Sequence, residues 1–392
     1  MNSTLLDQEE TLALVRCLPT ALEPFREMLL ANLVMIGEVP APTFGEDRRI
    51  EFLQQRFTEG GLQNCSADEV GNGFGILPGR VDGRSILVVA HADTPFSAKV
   101  NHELAVTPAR VIGPGVADNS LGLAVLATLP TVLERLDIHL RSDLVLMGAA
   151  RSLGRGDLGG LRFFLANNEL PLAAAVSVEG VQLGRLNYAS LASLSGEITC
   201  KASTDALGSG EGPQGAIIIL NAVIDRLFGL PLAGEPGTEL VLGSVEGGTS
   251  FKTPARSAVL RFEVRGESDE VLADIEHSIT SIVEEVAVEY RAAVNFEVIA
   301  RSRSGGLDPD HLLVLQCRRI MAALGIQPLS QPYSSAISSL VERDIPGVTI
   351  GITDGYDINE PHECVAIEPI LRGLAQLIGV LLAIDGGCCD GH

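Results

Sequence analysis

Short continuous apolar runs alternate with segments of helical periodicity along the first half of the chain, and few folds accept that pattern. Ser85-Ile-Leu-Val-Val-Ala90, Asp143-Leu-Val-Leu-Met-Gly-Ala149 and Ala173-Ala-Ala-Val-Ser-Val-Glu-Gly180 are too continuous for strands with one wet face. Such runs suit strands covered on both sides. Between the first two, Gly113-Pro-Gly-Val-Ala-Asp-Asn-Ser120 leads into a stretch where Leu121, Val125 and Leu129 recur at helical spacing. A second helix is read around LGGLRFFLANN before the third run. Strand, helix and strand in this order predict an α/β fold: a mainly parallel sheet with helices on both faces. In such sheets chemistry collects beyond the carboxyl ends of the strands. ILPGRVDGRSILVVAHAD is read as one strand ending at His91-Ala92-Asp93, and the third strand ends at Glu179.

The middle of the chain changes character. EITCKAST reads as an edge strand, followed by a helix (GPQGAIIILNAVIDRLFGL), two strands, a long helix (DEVLADIEHSITSIVEEVAVEY) and a last strand (AVNFEVIARS). Ala258, Leu260, Phe262 and Val264 alternate onto one face of the strand that contains them. The order strand, helix, two strands, helix, strand predicts a ferredoxin-like α+β domain over residues 191–303. It is inserted into a discontinuous first domain, residues 1–190 and 304–392. In its second part a helix (LLVLQCRRIMAALG), a strand (PGVTIGIT) and a closing helix complete the pattern.

Bulk properties narrow the function classes. A net charge of −22 opposes binding to nucleic acid or to an anionic membrane surface. The N-terminus lacks a cationic, then apolar, leader, and no run of 18 apolar residues predicts a membrane-spanning helix. The 7 cysteines are odd in number and show no CxxC spacing, so free thiols in a reducing cytoplasm are expected. The Cys388-Cys389 pair lies in a Gly-rich tail expected to fray. His102, His139, His277, His311 and His392 show no pairing pattern and are read as surface residues.

The polar residues at the strand ends form a series: His91-Ala92-Asp93, Asp118-Asn119, Glu179-Gly180 and His362-Glu363. Imidazole nitrogen and carboxylate oxygen are donors that zinc favours in hydrolytic sites. The His-x-Asp spacing sets both side chains on one side of the sheet edge, where Asp93 can orient His91. Asp118 and Asn119 also suit capping of the helix that follows.

With VVAHADTP, GVADNSLG, SVEG and NEPHECV in this order, residues 20–383 resemble the co-catalytic zinc exopeptidases: carboxypeptidase G, peptidase T, aminoacylase and succinyl-diaminopimelate desuccinylase. The resemblance implies one or two zinc ions, with His91, Asp118 and Glu179 holding one. Asp118 and His362 would contribute to a second, with Asp93 in a catalytic role as the orienter of His91. It implies a short peptide or N-acyl amino acid as substrate, and a homodimer formed through the inserted lid domain.

The same resemblance exposes departures. Where the family has a Glu-Glu pair after the second strand, this chain reads Ala149-Ala150-Arg151, with no Glu between Asp143 and Glu169. Alanine neither accepts a proton nor binds a metal. STDALGSGEGPQGA lacks the lid histidine, QPYSSAISS lacks an aspartate, and the lid-loop asparagine is replaced near Lys252. Two readings stay open at this point: an impaired or altered zinc amide hydrolase, and a non-catalytic relative that binds at most one metal.

Overall fold

The computed structural model describes residues 8–81, 83–202, 215–230, 237–330 and 336–389. The segments in which the lid histidine and the later aspartate are missing fall largely outside them, as does His392. The chain divides into two compact units, residues 1–190 with 306–392, and residues 191–305.

In the first unit seven strands form one sheet in the order Gln63–Ala67, Gly73–Leu77, Asp143–Ala149, Ser85–His91, Leu172–Val181, Gly347–Thr353 and Leu186–Asn187. The central four are parallel, and the outer strands pair antiparallel. The two faces carry alternate residues of the same strands, as a period of two requires. Ile86, Val88, Ala90, Leu144, Leu146, Val176 and Val178 join the larger core, beneath the helices Leu121–Arg135 and Ile370–Asp385. Leu87, Val89, Val145, Met147, Ala149 and Ala175 face the helix Gly159–Asn167 and the short helix Ile337–Val341. Helix Leu121–Arg135 lies inside the core. With the preceding turn it is long and apolar enough to cross a bilayer, but that window is 89% buried within the protein.

Asp143–Ala149 and Leu172–Val181 flank Ser85–His91 on opposite sides. The chain therefore reverses its winding direction at that strand, and in such sheets the ligand site lies beyond the carboxyl end of the strand where this happens. His91 occupies this position.

Some details depart from the sequence reading. The segment read as one strand before His91 is two, Gly73–Leu77 and Ser85–His91, because the Pro78-Gly79 turn reverses the chain between them. The Glu179 strand runs on to Val181. His102 is buried at 4% exposure, its Nε2 3.1 Å from the Ser97 carbonyl oxygen. The tail at Cys388-Cys389 packs against the larger core, with Cys389 buried and the two sulfurs 3.9 Å apart. Two apolar-lined thiols at the end of a core helix are held by burial, whatever the glycines before them.

The second unit is a four-stranded antiparallel sheet with helices Ala216–Phe228 and Asp269–Tyr290. Its strand order is Glu239–Gly247, Ser257–Gly266, Ala192–Lys201, Ala293–Ser302. This is the ferredoxin-like topology. The strand containing EITCK is interior, hydrogen-bonded to a neighbour on each side, so the edge assignment is corrected. Its reach back to Ala192 supplies the alternation Ala192, Leu194, Ile198 and Cys200, all buried.

Candidate metal centre

Three of the residues singled out in the sequence converge at the rim of the large sheet. Donor atoms of His91, Asp118 and Glu179 all lie within 4.8 Å of one another. The His91 Nε2 is 3.0 Å from Asp118 Oδ1 and 3.9 Å from Glu179 Oε2. Their side chains retain 12%, 23% and 18% exposure, so the cluster is recessed yet reachable from solvent. His362 does not join them. Its side chain is 69% exposed and meets Asp357 at 3.9 Å.

Local sequence explains the convergence. Asp118 and Asn119 lie in a turn with non-helical backbone angles just before helix Leu121–Arg135. Asn119, not Asp118, serves that helix end: its Oδ1 accepts from Gly122 N and Gly180 N, and its Nδ2 donates to the Val178 carbonyl. One amide side chain thus ties the turn to the Glu179 strand and frees Asp118 to face His91. A Cβ on Gly180 would come 2.4 Å from the Ala117 carbonyl oxygen, so only glycine lets turn and strand meet this closely.

Behind the imidazole stands Asp93, fully buried. The His91 Nδ1 lies 3.0 Å from the Asp93 carbonyl oxygen and 3.3 Å from its Oδ1. Asp93 Oδ2 accepts from Thr43 Oγ1, Ser152 N and Leu153 N at 2.8, 3.0 and 2.7 Å. Burial opposes its charge, but His91 and these donors prevail and hold its pKa below the usual carboxylate value. Burial also opposes a charge on His91, yet hydrogen bonds to Asp118 and Asp93 and the nearby carboxylates keep its pKa well above the ordinary one. Glu179 moves upward through burial and the Asp118 charge, partly offset by His91 and Arg185.

Supporting residues to which the sequence reading gave no role complete the site. Arg49 is fully buried, donating to the carbonyls of Val39, Ala92 and Gly37. Burial draws its pKa down to about 10, against the opposing pull of Asp93. Arg49 sits at helical spacing with the buried Leu53 and Phe57, a cation on an otherwise apolar stripe. Glu363 is fully buried, its carboxylate accepting from Ala117 N at 3.0 Å and Asn359 N at 2.9 Å, which braces the turn bearing Asp118.

The segment lacking acids is held by its backbone. Ala150 N donates to Asn72 Oδ1, Arg151 N to Glu46 Oε1, and the next two amides to Asp93. Ala149 and Ala150 are 2% and 1% exposed, and Ala149 belongs to the apolar cluster beneath helix Gly159–Asn167. Arg151 and Ser152 are only partly buried, and the Arg151 guanidinium lies over the Phe44 ring at 5.8 Å.

No protein-family model and no curated protein matches this chain. Solved structures do. Aminopeptidase PepT from Bacillus cereus is 19% identical, with TM-score 0.69 over 92% of this chain and 98% of that one. A dinuclear metal binding peptidase of the M20 family from Bacillus subtilis is 17% identical, with TM-score 0.62 over 92% and 98%. Human carnosine dipeptidase 1 is 10% identical, with TM-score 0.75 over 95% and 99%. The chain shares the fold of these metal peptidases over 92% to 95% of its length. An imidazole and two carboxylates at one rim, with a third carboxylate orienting the imidazole, fit a divalent cation with an open position.

Proposed function

We propose that this protein is a zinc-dependent amide hydrolase of the exopeptidase or aminoacylase type, working with one metal ion and at reduced rate. His91, Asp118 and Glu179 would hold the ion, and Asp93 would fix the imidazole. The convergence of those three donors carries the reading. When bound, zinc supplies a Lewis acid that polarises an amide carbonyl and activates water for attack. Asp93 sets the ring so that Nε2 faces Asp118 and Glu179, where it would be available to the ion, and its buried charge, supported by Arg49, favours that orientation. Asn119 and Glu363 hold Asp118 in reach. The substrate would be a short peptide or an N-acyl amino acid.

The absent Glu pair accounts for the reduced rate, since losing a general base costs about 10²–10⁴ in turnover. Alanines at 149 and 150 and the exposed position of His362 outside the three-donor group also favour a second reading, a binding protein with one metal and no turnover. The assay separates them. Zinc-loaded protein incubated with N-acetylalanine and with dialanine is expected to release alanine slowly, and chelation with EDTA is expected to stop the release. Retained zinc with no release from either compound over days would leave only the binding reading.

For assembly we propose a homodimer through the second unit. Its strand Glu239–Gly247 is a sheet edge with a largely exposed surface, and edges of this kind invite pairing with another chain. Light scattering at micromolar concentration is expected to give twice the chain mass; a strict monomer would refute the pairing. A cytoplasmic setting is proposed from the odd number of cysteines and their lack of CxxC spacing, which argue against a full disulfide framework.

A further inference from the structure

A cavity lies at the opposite end of the large sheet from His91. Its volume is about 300 Å³, at the lower end of the range for ligand sites. Leu133, Ile138, Leu140 and Leu144 form its apolar wall. Leu144 begins the apolar run that ends at Ala149, and Ala149 pairs with His91 in the parallel ladder. The strand from residue 144 to residue 149 therefore separates this cavity from the metal ligands by roughly 17 Å, at about 3.3 Å per residue.

Polar groups meet the cavity at two places. Ser142 lines it at 1% exposure, and its Oγ has no hydrogen-bond partner among the described residues. The Ser142 amide donates to Asp385 Oδ1 at 2.8 Å, so the backbone that carries the hydroxyl is fixed. A buried hydroxyl without a partner is costly, and a ligand atom that bonds it removes the cost. The other polar side is acidic. Glu59 and Glu134 both line the cavity, at the carboxyl ends of helices Asp47–Glu59 and Leu121–Arg135. The helix dipoles add negative potential there. Glu59 is engaged by Arg56 at 3.0 Å and by Gln55 at 2.9 Å. His139, also on the wall, pairs with Asp137 at 2.9 Å. Glu134 is exposed, and among the described residues its carboxylate makes no ion pair within 4 Å.

The combination selects one kind of ligand. The apolar wall takes an aromatic or aliphatic body, the acidic rim takes a cation, and the buried hydroxyl takes one hydrogen bond. We propose that this cavity binds a small amine with an apolar body, its ammonium beside Glu134 and a hydroxyl at its far end on Ser142 Oγ. Two carboxylates and two helix carboxyl ends disfavour an anion in the same place. None of the lining residues belongs to the metal cluster, so this binding is independent of the hydrolase reading.

Calorimetric titration of the full zinc-loaded chain with three probes provides the test. Tyramine carries ring, ammonium and hydroxyl; phenethylamine lacks the hydroxyl, and 4-ethylphenol lacks the ammonium. The wild-type protein is expected to bind tyramine about 3- to 10-fold more tightly than phenethylamine, the range of one hydrogen bond to a buried group. It is expected to bind tyramine about 2- to 5-fold more tightly than 4-ethylphenol, the range of an exposed ion pair. Ser142→Ala is expected to erase the first preference and keep the second, and Glu134→Gln to do the reverse. His91→Ala is expected to leave all three affinities within about twofold, as sites this far apart act independently. No saturable binding of tyramine to the wild-type protein, or preferences that survive both substitutions, would overturn the assignment. Loss of binding in His91→Ala would overturn it too, by placing the amine on the metal ion. Should a variant fail to fold, the wild-type affinities decide alone, since equal binding of the three probes contradicts both polar contacts.

Discussion

Equilibrium dialysis against zinc, read by mass spectrometry, is expected to give one zinc per chain, with affinity graded across three variants. His91→Ala removes one of the three proposed donors. It is expected to cost more than the roughly 10- to 100-fold that follows loss of a supporting partner. Asp93→Asn is expected to fall within that supporting range, because the amide keeps the shape but no longer fixes the imidazole by charge. His362→Ala is expected to change affinity by less than twofold, because its side chain is 69% exposed and its nearest acid is Asp357 at 3.9 Å. Circular dichroism should show all three variants folded. Two zinc ions per chain, or a loss at His362 as large as at His91, would mean that the loop after the Glu363 carboxylate's contact with Asn359 rearranges on binding and that the three-donor site is incomplete.

The sequence carried the fold because apolar continuity is a local signal. Ser85–Ala90 and Leu144–Ala149 are buried on both faces, and no other element type fits such runs between helices. His91, Asp118 and Glu179 were legible for a related reason: His91 ends its strand, Asp118 precedes a helix and Glu179 lies two residues from the end of its strand, places where a polar side chain stands out. What remained hidden depends on contacts far along the chain. Arg48 and Arg49 look alike in sequence, yet only Arg49 lies on the stripe shared with Leu53 and Phe57 and turns toward Ala92. That stripe was a usable signal, since a cation at a core position needs partners. Glu363 offered less. Its buried carboxylate answers Ala117, 246 positions away, and the adjacent His362 drew the attention. His362 precedes strand Cys364–Ala366, on a turn exposed to solvent. A histidine beside a strand is a poor guide to direction when its neighbour takes the inward position.

The same contacts decide where lost chemistry can be restored. By sequence, the natural repair is Ala149→Glu with Ala150→Glu. The structure argues against it. Ala149 packs with Val89, Met147 and Leu161, and a carboxylate placed there without a partner costs several kcal/mol. That double variant is expected to lower thermal stability and gain no activity. Arg151 and Ser152 offer a better place. They are partly exposed, and their positions are set by backbone bonds to Glu46 and Asp93 that any side chain preserves. Arg151 already holds a left-handed backbone at φ 53°, so exchanging it for another long side chain adds no new strain. Its contact with Phe44 is worth only about 0.5–1 kcal/mol at an exposed site. Arg151→Glu with Ser152→Glu also removes a cation and supplies two acids next to the residue that orients His91. The expected result is a rise in N-acetylalanine hydrolysis of about 10²–10⁴-fold, the usual contribution of a general base. Initial rates at saturating zinc check it, with thermal denaturation confirming that the variant folds. If the variant folds and holds zinc but its rate matches the wild-type protein, then the missing carboxylates are not what limits this site. The cause would then lie in how substrate is bound.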